Sequence, residues 1–386
     1  MSNEQVAVPG RGEPLLFRPL VVRGVTFPNR VVISPMCLYS AVDGKVNDFH
    51  FVHMSKFAVG GAGLIFLEAT AVTRAGRITH FDTGLYDDDQ MPELRRIADF
   101  VAAQGAVPAI QLSHAGRKSS AELPWEGGAS LYVQHPNEAW ETVGPSAVPA
   151  EGWPLPRPMS LADIAGNVQA WAAAARRAVA CGFRAIELHG AHGYLIHQFL
   201  SPLANTRNDR YGGDLAGRAR FAVEVTRAVR GAIGPEIPLF FRISAVDGSG
   251  TDAWTMDDTC ELVALLAEAG VDVFDCSSGG MTSPTPTRAV PRGYGFQVPL
   301  ASEIRTRTKR PVMAVGLILE AEQAEAVLFE GHADLVAVAR EALFNPNWAL
   351  HARHRLEGGY AGWPSQYRPW LEKRDDTIAR IKALTT

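Results

Sequence analysis

Phe183-Arg184-Ala185-Ile186-Glu187-Leu188, followed by His189-Gly190-Ala191-His192-Gly193-Tyr194, decides how this chain is read. The first six residues are a short, mostly apolar run of the kind that forms a buried strand. The next six sit where that strand opens into a loop. Two imidazoles three positions apart offer paired N–H donors to an oxygen gaining negative charge, and a phenol two residues later can supply a proton. Donors and an acid gathered at one strand end point to chemistry on a carbonyl-like group.

Working outward, β-rich runs of this kind fall at 31–34, 64–69, 107–112, 185–188, 239–243, 271–276, 311–315 and 334–338. Amphipathic segments at 91–104, 160–181, 217–233, 255–269 and 320–330 lie between most of them. Apolar strands separated by helices imply parallel βαβ units with both sheet faces covered. Eight of them predict an α/β protein with a single closed (β/α)8 TIM barrel. An open doubly wound sheet would carry GxGxxG after an early strand, whereas Gly60-Gly61-Ala62-Gly63 precedes its strand at the wrong spacing. Helix ends agree: Ser160 caps a helix with Asp163 in its first turn, and Gly270 and Gly331 stand where helices stop.

Residues 15–386 read as one barrel, entered through an N-terminal β-hairpin over 15–27 that plugs the barrel bottom. Residues 1–14 are polar, lack the apolar segment of a signal peptide, and predict a flexible N-terminus. The stretch 115–158 after the third strand is rich in Gly, Pro and Trp and predicts a capping loop, with Trp125, Trp140 and Trp153 packed over the barrel mouth. A second irregular stretch, 277–299, is a candidate substrate loop. Both belong to the face where barrel enzymes keep their active sites.

With 47% hydrophobic and 20% charged residues in 386, the composition is that of a soluble enzyme. A net charge of −4 gives no reason to expect nucleic acid or an anionic membrane as partner. Cys37, Cys181, Cys260 and Cys276 are far apart with no CxxC pair, which argues against a zinc knuckle or iron–sulfur centre and fits a reducing compartment. The Ala-rich 171–181 is too short to span a bilayer. The expectation is a cytoplasmic protein acting on small molecules.

Polar residues recur just past the strands: Cys37 after the first, Gln111 in the third, His189 and His192 after the fourth, Arg242 in the fifth and Arg340 beyond the eighth. Burying an unpaired arginine or histidine is expensive, so their clustering suggests one polar ligand. Each has a blander reading. Cys37 could be a small buried hydrophobe, Gln111 could bond backbone, Arg242 could pair with Glu187 or Asp275, and Arg340 could neutralise Glu341. The HxxH pair also permits a metal-dependent hydrolase, although Asp209 and Glu187, the nearest third ligands, lack metal-like spacing.

Taken with Asn29-Arg30, Ser34-Pro35-Met36-Cys37-Leu38-Tyr39, Glu68-Ala69-Thr70-Ala71-Val72, Gly76-Arg77-Ile78, Gln111-Leu112-Ser113-His114-Ala115-Gly116-Arg117, Asn208-Asp209-Arg210-Tyr211-Gly212-Gly213 and the stretch 366–370, the sequence resembles the old yellow enzyme family of flavin-dependent ene-reductases. Within it the chain looks closest to the thermophilic-like subgroup, which includes xenobiotic reductases. The resemblance runs from Leu16 to about Trp370.

It implies noncovalent FMN in the barrel mouth. Ser34, Pro35, Met36 and Cys37 would line one side of the isoalloxazine, with Ala69 nearby and Gln111 on the pyrimidine edge. Arg242 would sit by N1 and the C2 oxygen, and Gly316, Ala339 and Arg340 would hold the phosphate. The resemblance further implies NADPH or NADH as reductant and the C=C bond of an α,β-unsaturated carbonyl compound as acceptor. His189 and His192 would bind the carbonyl oxygen, and Tyr194 would protonate the α-carbon. Cys37 would tune the flavin, and Tyr39 would line the substrate pocket. Arg368 and Trp370 resemble a tail that reaches into the neighbouring subunit's site, implying a homodimer or homotetramer.

Overall fold

The computed structural model describes residues 13–247, 253–282 and 290–385. The flexible N-terminus expected over 1–14 lies outside the described residues except for Glu13 and Pro14, as does the middle of the expected loop 277–299.

Eight strands close into a barrel: β1 (Val31–Ile33), β2 (Leu64–Ala71), β3 (Val107–Ser113), β4 (Ala185–Gly190), β5 (Leu239–Ser244), β6 (Val273–Ser277), β7 (Val312–Val315) and β8 (Leu335–Val338). Each pairs in parallel with the next, and β8 returns to β1 with Val336 opposite Val31. The predicted TIM barrel is therefore the fold. Every residue of these strands is buried, which is why the runs are apolar and do not alternate. Helices α1 (Asp48–Val59), α2 (Met91–Ala103), α3 (Leu161–Ala180), α4 (Leu215–Ile233), α5 (Met256–Ala269), α6 (Val298–Thr308), α7 (Ala321–Phe329) and α8 (Trp348–Glu357) follow the strands in turn, and α9 (Arg368–Thr385) ends the described chain.

Local chemistry sets the helix ends. The Ser160 hydroxyl accepts from the Asp163 N–H at 3.1 Å while the Asp163 carboxylate accepts from the Ser160 N–H at 2.8 Å, a reciprocal cap on α3. Gly270 stops α5 at a φ of +116°, where a side chain would be strained. Four of these helices, α1, α6, α8 and α9, escaped the sequence pattern. Helix α1 buries Met54 and Phe57 yet exposes Phe49 and Val52, so it shows no single apolar stripe. Helix α6 starts inside the expected loop 277–299, because Pro299 occupies its first turn, where the missing N–H costs nothing.

The barrel interior is a core of its own, built from residues such as Phe27, Val32, Leu64, Phe66, Phe240 and Met313. The N-terminal hairpin, Leu20–Val22 paired with Val25–Phe27, brings Phe27 to 6.0 Å from the Phe240 ring, and Phe66 lies 5.5 Å away on another side. Phe240 is wholly buried between them. Phe240→Ala is expected to cost about 3–5 kcal/mol, read by urea unfolding. A loss below about 1 kcal/mol would show that this interior repacks freely.

The capping loop is held at points by side chains. Trp153 donates its indole N–H to the Ser119 carbonyl at 3.2 Å, and Trp140 donates to that of Ala75 at 3.0 Å. Trp125 departs from the expected packing. It is 67% exposed and presents its ring edge-on to Tyr39 at 6.2 Å, because the turn Pro124–Glu126 lifts it away from the barrel.

Candidate active site

Beyond β4 the backbone turns sharply. His192 and Gly193 take the left-handed conformation, with φ of +59° and +75°, a geometry unfavourable for histidine. Surrounding side chains hold it there. The Ser244 hydroxyl accepts from the His192 N–H at 3.0 Å, and Lys118 Nζ donates to the His192 carbonyl at 3.0 Å. His197 Nδ1 accepts from the Gly193 N–H at 2.9 Å, and Gln198 Nε2 donates to the Gly193 carbonyl at 2.7 Å. Because His197 accepts at Nδ1, its ring proton sits on Nε2, 3.5 Å from the Asp247 carboxylate. A Cβ on Gly193 would meet the Gly280 carbonyl at 2.3 Å, so glycine is required at this crossing.

This turn stacks the candidate catalytic rings. His189 and His192 meet edge to face with centroids 5.1 Å apart, and Tyr194 meets His189 at 5.0 Å. The imidazole nitrogens face each other, His192 Nδ1 to His189 Nε2 at 3.4 Å, while His192 Nε2 lies 2.7 Å from Ser277 Oγ. Burial, reinforced for both rings by the Arg242 charge, drives the two imidazoles well below the ordinary histidine range, so both are neutral. Burial also pushes the Tyr194 phenol up, with Cys37 and Asp82 adding to the effect, and it keeps its proton. Tyr194, Tyr39, Cys37 and Trp153 pack against Ile78, Ala115 and Ala121.

The segment after β1 supplies Ser34, Pro35, Met36, Cys37 and Tyr39. The Ser34 N–H bonds the Val338 carbonyl at 3.0 Å, and the Glu68 carboxylate accepts from the Leu38 N–H at 2.8 Å. Burial pushes the Cys37 thiol well up, and it contacts the Tyr39 hydroxyl and the Ala69 backbone. It remains a neutral thiol rather than a nucleophile. Ala69 is buried in β2.

Deeper in the barrel, Gln111 Nε2 donates to Glu187 Oε1 at 2.7 Å, and Arg242 Nε lies 3.1 Å from Asp275 Oδ2. The partners left open by the sequence are thus Glu187 for Gln111 and Asp275 for Arg242. A cleft of about 340 Å³ opens above, lined by His192, Arg242, Ser277, Gly316, Ala339 and Arg340. Glu341 does not neutralise Arg340, which has no ion pair among the described residues. Gly316 takes a φ of +117°, and a Cβ there would come within 2.9 Å of the Phe296 ring.

Arg368 and Trp370 stand apart from this constellation on α9, which buries none of its residues. The hydrolase alternative lacks a third ligand. Asp209 is paired with Arg207 at 2.6 Å, Glu187 is turned to Gln111, and no group of three His, Cys, Asp or Glu among the described residues could hold a metal. Sequence reasoning missed Lys118, His197, Ser244 and Ser277. Their side chains reach the turn from other elements, and only the short spacing from Gly193 to His197 left a local trace.

A sequence profile of the NADH:flavin oxidoreductase / NADH oxidase family matches residues 15–358. An NADPH dehydrogenase of Geobacillus sp. (strain WCH70) is 44% identical over 347 residues, covering 89% of this chain and 95% of that protein. An NADPH dehydrogenase of Halalkalibacterium halodurans is 41% identical over 363 residues, covering 93% and 100%. Among solved structures, morphinone reductase superposes with a TM-score of 0.74 at 27% identity, covering 90% of this chain and 91% of that one.

Proposed function

From the premise that this chain belongs to the NADH:flavin oxidoreductase / NADH oxidase family, that of the old yellow enzymes, we propose that it reduces the C=C bond of α,β-unsaturated carbonyl compounds. Membership makes it an FMN-dependent NADPH oxidoreductase. The observation that carries the finer reading is the convergence of two neutral imidazoles and a protonated phenol, centroids 5.0–5.1 Å apart, beside the barrel mouth.

The residues present suit FMN. Arg340, which has no ion pair among the described residues, lines the same cleft as Gly316, whose bare backbone allows close approach, and Arg242 presents a second cation there. Gly316, Ala339 and Arg340 would hold the phosphate, Gln111 and Arg242 the pyrimidine edge, and Ser34, Pro35, Met36, Cys37 and Ala69 one side of the ring system. When bound, the flavin supplies two-electron transfer from NADPH to the β-carbon of the acceptor.

The chain's own groups do the rest. His189 and His192 donate to the carbonyl oxygen of the acceptor, His192 exchanging its bond to Ser277 for this one. As neutral donors they stabilise the negative charge that develops there, each contributing about 3 kcal/mol. Tyr194 holds the proton destined for the α-carbon, and its raised pKa keeps that proton in place until a stronger base forms. Tyr39 borders the acceptor. The test is turnover of the FMN-loaded enzyme with NADPH and cyclohexenone, in which loss of the conjugated alkene is expected. Oxidation of NADPH that leaves enones, enals and imides intact would overturn the reading.

Helix α9 exposes Trp370, Ile381 and Leu384, and none of its residues is buried by the rest of the described chain. This supports a homodimer or homotetramer in which Arg368 and Trp370 of one copy border the neighbour's acceptor site. Removing residues 367–386 is expected to raise KM for the enone about tenfold and to lower the sedimentation coefficient; no change in either would remove the tail from the site. No helix among the described residues is long and apolar enough to cross a membrane.

A further inference from the structure

Four consecutive strands, β3 to β6, each place a long or charged polar side chain directly above the apolar barrel core: Gln111, Glu187, Arg242 and Asp275. Strand register sets them in order, Gln111 opposite Glu187 and Arg242 opposite Asp275. Glu187 and Asp275 are in side-chain contact, and both are entirely shielded from solvent.

The charges do not balance. One guanidinium faces two carboxyl groups, while the other titratable neighbours, His189 and the Cys276 thiol, are held neutral by burial. Glu187 Oε1 is satisfied by Gln111, and Asp275 Oδ2 faces Arg242. Among the described residues Glu187 Oε2 and Asp275 Oδ1 have no donor, and the Asp275 Oδ2–Arg242 approach is an ion pair without a well-aligned hydrogen bond. Two carboxyl groups in contact in a buried setting are costly as a pair of anions and well matched as an acid and its conjugate base.

We propose that Glu187 and Asp275 share a single proton, with Glu187 the donor, so that the cluster with Arg242 is neutral and its guanidinium alone faces the cofactor. Burial raises the proton affinity of both carboxyls, and repulsion from Asp275 raises Glu187 further, while the Arg242 charge draws both down. Arg242 lines the cleft and the two carboxyls do not. Charge gathering on the cofactor during reduction therefore meets a cation backed by a compensated pair rather than a net anion. Glu187 and Asp275 are positioning residues that act through Arg242 and Gln111. This cofactor half rests on the placement of those two at the pyrimidine edge.

The test is infrared spectroscopy of the FMN-loaded enzyme in H2O and D2O at pH 8, where free Glu and Asp are ionised. A deuterium-sensitive protonated-carboxyl C=O band is expected, lost in Glu187→Gln. Wild-type enzyme carrying carboxyl-labelled glutamate gives the same assignment without a substitution, through an isotope shift of the band. The midpoint potential of bound FMN supplies a second readout. Glu187→Gln replaces a neutral acid by a neutral amide and should leave it unmoved, whereas Asp275→Asn should favour the reduced cofactor about tenfold. Absence of the band, or a potential raised equally by both variants, would mean two charged carboxylates and overturn the proposal. A band present with both potentials unmoved would keep the shared proton and overturn the placement of Arg242 at the cofactor.

Discussion

His189→Ala or His192→Ala is expected to slow alkene reduction about 10²–10³-fold, while reduction of the bound flavin by NADPH stays near its wild-type rate. The asymmetry follows from where charge develops. The acceptor's carbonyl oxygen gains a negative charge in the second half-reaction, and the two rings are the neutral donors beside it. His189 is buried and His192 is half-buried at the cleft, and the low-dielectric surroundings strengthen each bond they form. The double variant should lose less than the product of the single losses, because the rings contact each other and serve one oxygen. Stopped-flow spectroscopy separates the two half-reactions. Equal loss in both would assign the pair to the fold or the cofactor instead. His→Asn at either position restores a neutral donor and should recover part of the rate, which a merely structural role would not explain.

Stability is expected to fall steeply as pH drops from about 6.5 to 4.5. Burial holds His53 and His114 down to about 4 and holds His189 and His192 well below the normal range. A histidine whose folded pKa is depressed is neutral in the fold but charged once unfolded below about pH 6.5. Unfolding then takes up four protons, and acid drives it. Carboxyl groups oppose this. Asp82, raised by burial to about 7, and the Glu187–Asp275 pair keep about two protons in the folded state that the unfolded chain releases. The net uptake of about two protons gives a slope of about 2.7 kcal/mol per pH unit. Urea unfolding at fixed pH values measures it directly. A flat or rising stability toward acid would mean that these histidines already carry charge in the fold.

The strands were readable one by one because each is buried on both faces and appears as an uninterrupted apolar run; the structure moved their ends by one or two residues. Capped helices such as α3 and α5 announced themselves, whereas α1, half buried and half exposed on both flanks, did not. At the site, His189, His192 and Tyr194 were visible as a local motif. Their supports were not. Lys118 comes from the capping loop, Ser244 from β5, Ser277 from β6 and Asp247 from beyond β5, and no spacing along the chain relates them.

The amino-acid order alone determined the eightfold alternation, the helix stops at Gly270 and Gly331 and the loop that carries the two imidazoles, because periodicity, capping and backbone strain act over a few residues. Tertiary structure decided that His192 meets Ser277, that Arg242 turns to Asp275 and that Glu187 touches Asp275. Those contacts depend on which residue stands opposite which across neighbouring strands. Register is fixed only when the whole barrel closes around its core, and it is there that two acids and one guanidinium are brought within reach of each other.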